Sequence, residues 1–218
     1  ELGWRHKSEF LKFGANVYYM DYKDQLVLTG AVDEVGAPIR ENSGSSYRLG
    51  LELDADWQLS SQWSWKANLT LSENRNRDFV FERDGQLQDL GNTNLSYSPN
   101  VVGASQWVFS PSDALSLSLF SKSVGEQFMG NIDADLSKLP SYTTHDISIQ
   151  YQLDPSWCKS LTLQLLLNNV LDASYVSNGY FYTYDDSWSN PGMVQTIEGV
   201  GYYPQAGFHF LAGVNIRF

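Results

Sequence analysis

From Ser46 to Trp57 the odd positions Tyr47, Leu49, Leu51, Leu53, Ala55 and Trp57 are apolar, while Arg48, Gly50, Glu52, Asp54 and Asp56 are polar or small. A period of two predicts a β-strand with one apolar and one polar face. After a break at Gln58 to Gln62, Trp63, Trp65, Ala67, Leu69 and Leu71 alternate with Ser64, Lys66, Asn68, Thr70 and Ser72, so the two segments are expected to form a hairpin. Similar alternation marks Leu11 to Tyr19, Leu115 to Leu119, Ile147 to Leu153, Leu161 to Leu167 and Phe208 to Phe218. Weaker segments at Leu2 to Lys7 and Val101 to Phe109 bring the total to about nine strands. The expected fold is all-β, an antiparallel up-and-down meander.

The links between these segments alternate in length. Short ones fall at Ser8 to Glu9, Gln58 to Gln62, Ser110 to Ala114 and Asp154 to Ser160. Long ones fall at Lys23 to Ser45, Asn74 to Asn100, Gly125 to Tyr142 and Asn169 to Ala206. Short turns at one end and long loops at the other are the pattern of outer-membrane barrels. The ten steps from Tyr47 to Trp57, at about 3.3 Å each and a tilt near 45°, rise roughly 23 Å, close to the apolar band of such barrels. Trp57, Trp63 and Tyr151 then stand near short turns, where an aromatic girdle belongs. With the odd residues toward lipid, Arg48, Glu52, Asp54 and Asp56 face a wet lumen. The opposite facing would put those charges in hydrocarbon, at up to about 2–4 kcal/mol for a basic group. A large β-sandwich would explain the alternation but not the paired edge aromatics or the alternating loop lengths.

Composition sharpens this picture without deciding it. A hydrophobic share of 42% is ordinary for a soluble protein, and no apolar run is long enough for a membrane-spanning helix. The 13 Tyr, 11 Phe and 7 Trp suit a boundary between apolar and wet surroundings. A formal charge of −11 repels phosphate backbones, so nucleic acid is not expected as a partner. Cys158 is alone and reads as a bystander in a polar turn. The chain starts at Glu1 with no initiator Met, basic region or apolar leader, as expected of a fragment or processed product.

Several stretches resemble one family. The segment Gly14 to Leu26 followed by Ser46 to Leu53 resembles mid-barrel strands of TonB-dependent outer-membrane receptors. Asn168-Asn169-Val170-Leu171-Asp172-Ala173-Ser174-Tyr175 is similar to that family's stretch before the last loop, and Tyr203 to Gly207 leading into a strand ending at Phe218 is similar to its C-terminus. The resemblance covers essentially the whole of residues 1–218, and implies the C-terminal portion of a 22-strand transmembrane β-barrel. It also implies an N-terminal plug and TonB-contact segment outside this chain, a location in the outer membrane of a Gram-negative bacterium, and import of a scarce nutrient such as a ferric siderophore. The implied partners are outer-membrane lipid, TonB through the missing N-terminal region, the barrel-assembly machinery and a small nutrient ligand such as an iron chelate. Phe210, Val214, Ile216 and Phe218 resemble the terminal-strand signal read by that machinery. Nine strands cannot close as an all-antiparallel ring, so the chain alone is not expected to transport anything.

Catalytic chemistry is sparsely represented. No nucleophile elbow, Cys-x-x-Cys, His-Glu-x-x-His or phosphate-binding loop is present, and Gly199-Val200-Gly201 before Tyr202-Tyr203-Pro204 reads as a turn. An enzyme is not expected; its best case is a barrel bringing His145 near Ser148 or Asp146. No cofactor or metal is expected, Asp133 with Asp135 and Asp185 with Asp186 reading mainly as solvated loop acids rather than Ca²⁺ ligands. The best candidate ligand site is the loop from Ser177 to Gln205, where Tyr180, Phe181, Tyr182, Tyr184, Trp188, Tyr202 and Tyr203 accompany Asp185 and Asp186, the tyrosines at 180, 182, 184 and 202 with Trp188 and the two acids being the expected contacts. Rings there can grip a flat solute, or simply pack against neighbouring loops. Two other function classes stay open, a secreted or surface carbohydrate-binding β-domain and an outer-membrane hydrolase. In water the fragment is expected to curl its sheet around Leu51, Leu69, Leu117 and Ile149, to pair with a second copy, or to need detergent.

Overall fold

A computed structural model describes residues 1–32 and 38–218; the side chains at 27–32, 38, 41 and 43 lie outside the description. The strands, in chain order, are β1 (Leu2–Lys7), β2 (Leu11–Val32), β3 (Pro38–Gln58), β4 (Trp63–Arg77), β5 (Val80–Arg83), β6 (Gln86–Asp89), β7 (Val101–Ser112) and β8 (Leu115–Val124). They continue as β9 (Gln127–Phe128), β10 (Lys138–Leu139), β11 (Tyr142–Leu153), β12 (Ser160–Asn168), β13 (Val176–Asp186), β14 (Gln195–Pro204) and β15 (His209–Arg217). Among the described residues the only helix is a 3₁₀ turn at Asp135–Ser137.

Nine of these strands form an antiparallel wall in the order β1-β2-β3-β4-β7-β8-β11-β12-β15. Every segment read as a strand from its alternation lies in this wall. The register keeps the two faces separate: Leu53 pairs with Leu69 and Leu51 with Leu71, while Asp54 pairs with Asn68 and Asp56 with Lys66. Leu49, Leu51, Leu53, Leu69 and Leu71 therefore share one face, and Glu52, Asp54, Lys66 and Asn68 the other. On the polar face Asp56 lies 3.6 Å from Lys12 and 3.8 Å from Lys66, and Asn16 donates to Glu52 at 3.3 Å. These groups are exposed, so their pairing contributes little and mainly keeps that face wet.

Rings gather on the apolar face beside the short turns. Trp57 pairs with Trp65, Trp65 with Trp107, and Trp63 with Phe109. Trp63 and Phe109 stack at 4.4 Å, and the indole Nε1 of Trp65 donates to Ser105 Oγ at 2.9 Å. At the opposite edge Tyr19 and Tyr47 stand 6.2 Å apart, with the Arg77 guanidinium 4.8 Å over the Tyr47 ring. Aromatics thus border the leucine stripe at both ends.

The turns joining β1 to β2, β3 to β4, β7 to β8 and β11 to β12 are short and fall at one end. The long connections fall at the other, and three depart from the loops expected there. The Lys23 to Ser45 stretch is largely hairpin, because β2 and β3 pair as far as Val32 and Pro38; its tip lies outside the described residues. The second connection carries the β5–β6 hairpin, and the last carries the long β13–β14 hairpin. The expected curling is not what forms: Leu51, Leu69, Leu117 and Ile149 stay partly exposed on the sheet face rather than inside a sandwich. Among the described residues the buried hydrophobics are Leu95, Val124, Met129, Ile132, Leu139 and Phe181, all at the end with the long connections.

Candidate functional site

The outer connections hold one another through a small core. Met129, Ile132, Leu139 and Phe181 form its centre, with Phe79, Phe81, Leu90 and Val200 packed around it. Polar contacts fasten the same pieces. Arg83 meets Glu198 at 2.6 Å, the Thr196 amide donates to Asp84 at 2.7 Å, and the Tyr97 hydroxyl donates to the Gly179 carbonyl at 2.9 Å. The last hairpin is thus held against the connection between β4 and β7.

Alternation along β13 sends its aromatics both ways. Phe181 enters the core, whereas Tyr180, Tyr182 and Tyr184 lie on the opposite face. Tyr180 pairs with Gly201 and Tyr182 with Gly199, and a side chain on either glycine would collide with the ring opposite. The rings therefore lie across bare backbone, as aromatics do over cross-strand glycines. This corrects the reading of Gly199 to Gly201 as a turn: both glycines sit inside β14, where the neighbouring rings need the space.

The ring centroids form a ladder. Tyr180 to Tyr182 is 6.3 Å, Tyr182 to Tyr184 is 6.4 Å and Tyr184 to Trp188 is 6.1 Å, with planes 19°, 17° and 7° apart. Tyr203, another ring of that loop, extends it at 6.0 Å from Tyr180. Trp188 is 69% exposed and Tyr180 48%, so much of the strip is open to contact.

The other expected site residues have separate roles. Asp185 accepts from Thr196 Oγ1 at 2.8 Å, and the Tyr202 hydroxyl reaches the Leu136 carbonyl at 3.0 Å on the core side. Asp186 accepts the amides of Trp188 at 3.1 Å and Ser189 at 3.0 Å, and the Ser189 side chain, followed by these amides, holds its carboxyl below the usual range. Adjacent acids in a strand point to opposite faces, so Asp185 and Asp186 do not form a chelating pair. Asp133 is occupied by the Asn94 amide at 3.0 Å and the Asn94 side chain at 3.0 Å. Among the described residues no group of three or more His, Cys, Asp or Glu stands ready for a metal.

The stretch Asn168 to Tyr175 closes the base of this hairpin. Asn169, at φ 50°, donates its amide to Asp146 at 2.7 Å, while its side chain bonds Ala173 and the Ala206 carbonyl. Asp172 accepts the Phe208 amide at 2.8 Å. The pair joins the end of β12 to the start of β15. His145 Nδ1 lies 2.8 Å from Ser121 Oγ, while Asp146 and Ser148 are on the other face of the strand.

Beneath the outer connections the polar face of the wall carries a groove of about 320 Å³ bordered by Tyr18, Arg48, Asn74, Tyr97 and Ser98. Arg48 donates there to Asn74 at 3.1 Å and to Ser98 at 2.9 Å. Burial, with the neighbouring Tyr203 phenol, pushes Tyr97 ionisation up. At the far edge of the wall Phe210, Val214 and Ile216 pair with Leu167, Leu163 and Leu161. Phe218 is 6.4 Å from Trp157. All four are exposed. Each of β1 and β15 has a single wall neighbour, so each leaves one edge unpaired.

A two-faced antiparallel wall with short turns at one end and a packed aromatic lid at the other defines a segment of membrane-type β-barrel. Residues 1–170 match the model of the TonB dependent receptor-like β-barrel, and the chain belongs to that family. It is 29% identical to the ferrioxamine receptor of Yersinia enterocolitica over 161 residues, covering 72% of this chain and 21% of that protein. A pesticin receptor of the same species is 32% identical over 68 residues, covering 31% of this chain and 10% of the receptor. The fold superposes on the ferric yersiniabactin uptake receptor FyuA of Yersinia pestis with a TM-score of 0.66 at 17% identity, covering 97% of this chain and 28% of FyuA. For the copper transporter OprC the score is 0.67 at 16% identity, with 97% and 30% covered. The chain thus spans roughly a fifth to a third of these longer proteins, which are receptors and transporters rather than enzymes.

Proposed function

We propose that the chain is a C-terminal stretch of barrel wall in a receptor of a Gram-negative outer membrane, one that captures a scarce nutrient such as a ferric siderophore and imports it with energy from TonB. The observation that carries this reading is the family match over residues 1–170. The geometry agrees with it. The leucine stripe meets lipid and the charged face meets the lumen. The unpaired edges of β1 and β15 accept the remaining strands, since an open strand edge recruits a partner. Plug, TonB-contact segment and the rest of the ring belong to the longer protein.

The tyrosine strip of β13, with Trp188, is the part of the lid that contacts the incoming ligand. Asp186 shapes the tip beside it. Asp185 and Tyr202 support the strip from behind. The exposed alternate residues Phe210, Val214, Ile216 and Phe218 of the last strand suit recognition by the barrel-assembly machinery. A carbohydrate-binding sandwich would bury the wall leucines, whereas Leu51, Leu69 and Leu117 stay partly exposed.

The test is uptake of radiolabelled iron chelates by the host bacterium under iron limitation. Deleting the full-length gene, or TonB, is expected to abolish import of at least one chelate. Undiminished import of every chelate in both deletions would refute the reading.

A further inference from the structure

The β13–β14 hairpin has a charge pattern that its ring ladder alone does not reveal. From Val176 to Pro204 there are three acidic residues, Asp185, Asp186 and Glu198, and no lysine or arginine. Glu198 is neutralised by Arg83 on the core side, and Asp185 also lies on that side, bonded to Thr196. Asp186 stands at the tip beside the ladder, fully ionised at neutral pH because the Ser189 side chain and backbone amides hold its charge. The surface offered to a ligand is therefore a row of π faces ending in a carboxylate, with no cation on the hairpin to meet an anion. Ring faces carry negative quadrupole potential and attract cations, and a fixed carboxylate adds to that field.

Resting on the receptor reading above, we infer that the strip Tyr203–Tyr180–Tyr182–Tyr184–Trp188 is a charge-selective stacking floor that takes iron(III) chelates of zero or positive net charge and turns away polyanionic ones. The glycines fix the floor, since Gly199 and Gly201 let the rings of Tyr182 and Tyr180 lie down on backbone. Tyr97, bonded to the Gly179 carbonyl near the foot of the hairpin, borders the groove holding Arg48 and Asn74. The ladder thus runs from the hairpin tip toward the polar face of the wall. Arg48 stands in that groove and not on the hairpin.

The experiment uses the full-length receptor in detergent micelles and two probes, a ferric trihydroxamate bearing a free ammonium group and a trianionic ferric tricatecholate. Quenching of tryptophan fluorescence reads binding. The cationic chelate is expected to bind at least about tenfold more tightly. Tyr180→Ala with Tyr182→Ala should weaken it about tenfold, whereas Tyr180→Phe with Tyr182→Phe, which keeps the rings, should leave it nearly unchanged. Asp186→Asn should narrow the gap between the probes. Equal or tighter tricatecholate binding by the unaltered receptor overturns the inference, as does retention of affinity in the double alanine variant. Should that variant lose its lid, the probe ratio and the phenylalanine variant still decide. TonB-dependent import of the tricatecholate alone would overturn the charge preference and leave the receptor reading standing; failure of both probes to bind or enter would overturn the inference and, with no other chelate imported, the reading too.

Discussion

The wall and the lid of this molecule use the same strand alternation toward opposite ends. In the wall, Leu51 pairs with Leu71 and Leu53 with Leu69 on an open face, where all four stay at least partly exposed. In the lid, Phe181 turns inward onto Met129 and Leu139, and the core closes within the chain itself. On the proposed receptor reading, the wall leaves its apolar surface for a solvent that is itself apolar, whereas the lid buries its own because it works in water. Burial is therefore a poor guide to importance here: the wall leucines stay partly exposed, while the most buried leucines, Leu95 and Leu139, hold loops.

The largest separation between the two regions should come from Leu139→Ala. Leu139 is 1% exposed, and its truncation should cost the lid about 2–5 kcal/mol. Hydrogen exchange should then accelerate at Met129 and Thr183 while amides of β3 and β4 remain protected; slowed exchange loss confined to the wall would break the distinction. Next comes Leu51→Arg in the full-length receptor, expected to cost about 2–4 kcal/mol of insertion near the bilayer midplane. Asn68→Arg, on the polar face, should cost far less, and equal urea midpoints for the two in lipid vesicles would invert the facing.

Smaller effects sharpen the boundary between wall and lid. Asn169→Ala removes the side chain that joins Ala173 to Ala206, at about 1–3 kcal/mol, and should free the base of the hairpin without melting β12. Limited proteolysis between Ala173 and Gly207 reads this directly. The smallest effect is a pH response at the tip. Asp186 has a folded pKa below its ordinary 3.8, so the bonds it makes stabilise the turn above that value and are lost as pH falls through the lower folded pKa. The amide of Ser189 should exchange normally down to about pH 4 and loosen only in stronger acid; loosening already near neutrality would show that Asp186 does not cap the turn.

The wall was legible in the sequence because only one of its faces is apolar, so period two stands out at Tyr47 to Trp57 and again at Trp63 to Leu71. The lid hairpin was not. Tyr180, Phe181 and Tyr182 are consecutive aromatics serving two faces, which cancels the alternation that would have marked a strand. Gly199 and Gly201 then imitated a turn, although they are spaced to sit beneath Tyr182 and Tyr180. Parity alone separates Asp185 from Asp186 once the segment is known to be a strand. Tyr203 stood out only as one more ring of the loop, because its link to Tyr180 exists only after the hairpin has paired. The partners of Asn169 and Asp172 likewise lie across the closed hairpin and leave no local trace.

The lid core also sets an order of events. Its members come from as far apart as Phe79 and Val200, whereas most wall pairings join strands separated by a short turn or a single excursion. Closing distant segments costs more chain entropy than zipping neighbours, so contacts of high sequence separation form late. The wall can register hairpin by hairpin while Phe181 and Met129 still await each other. For an interval the chain is then expected to have a finished rim and an unlatched roof, with the sticky interior of that roof on show.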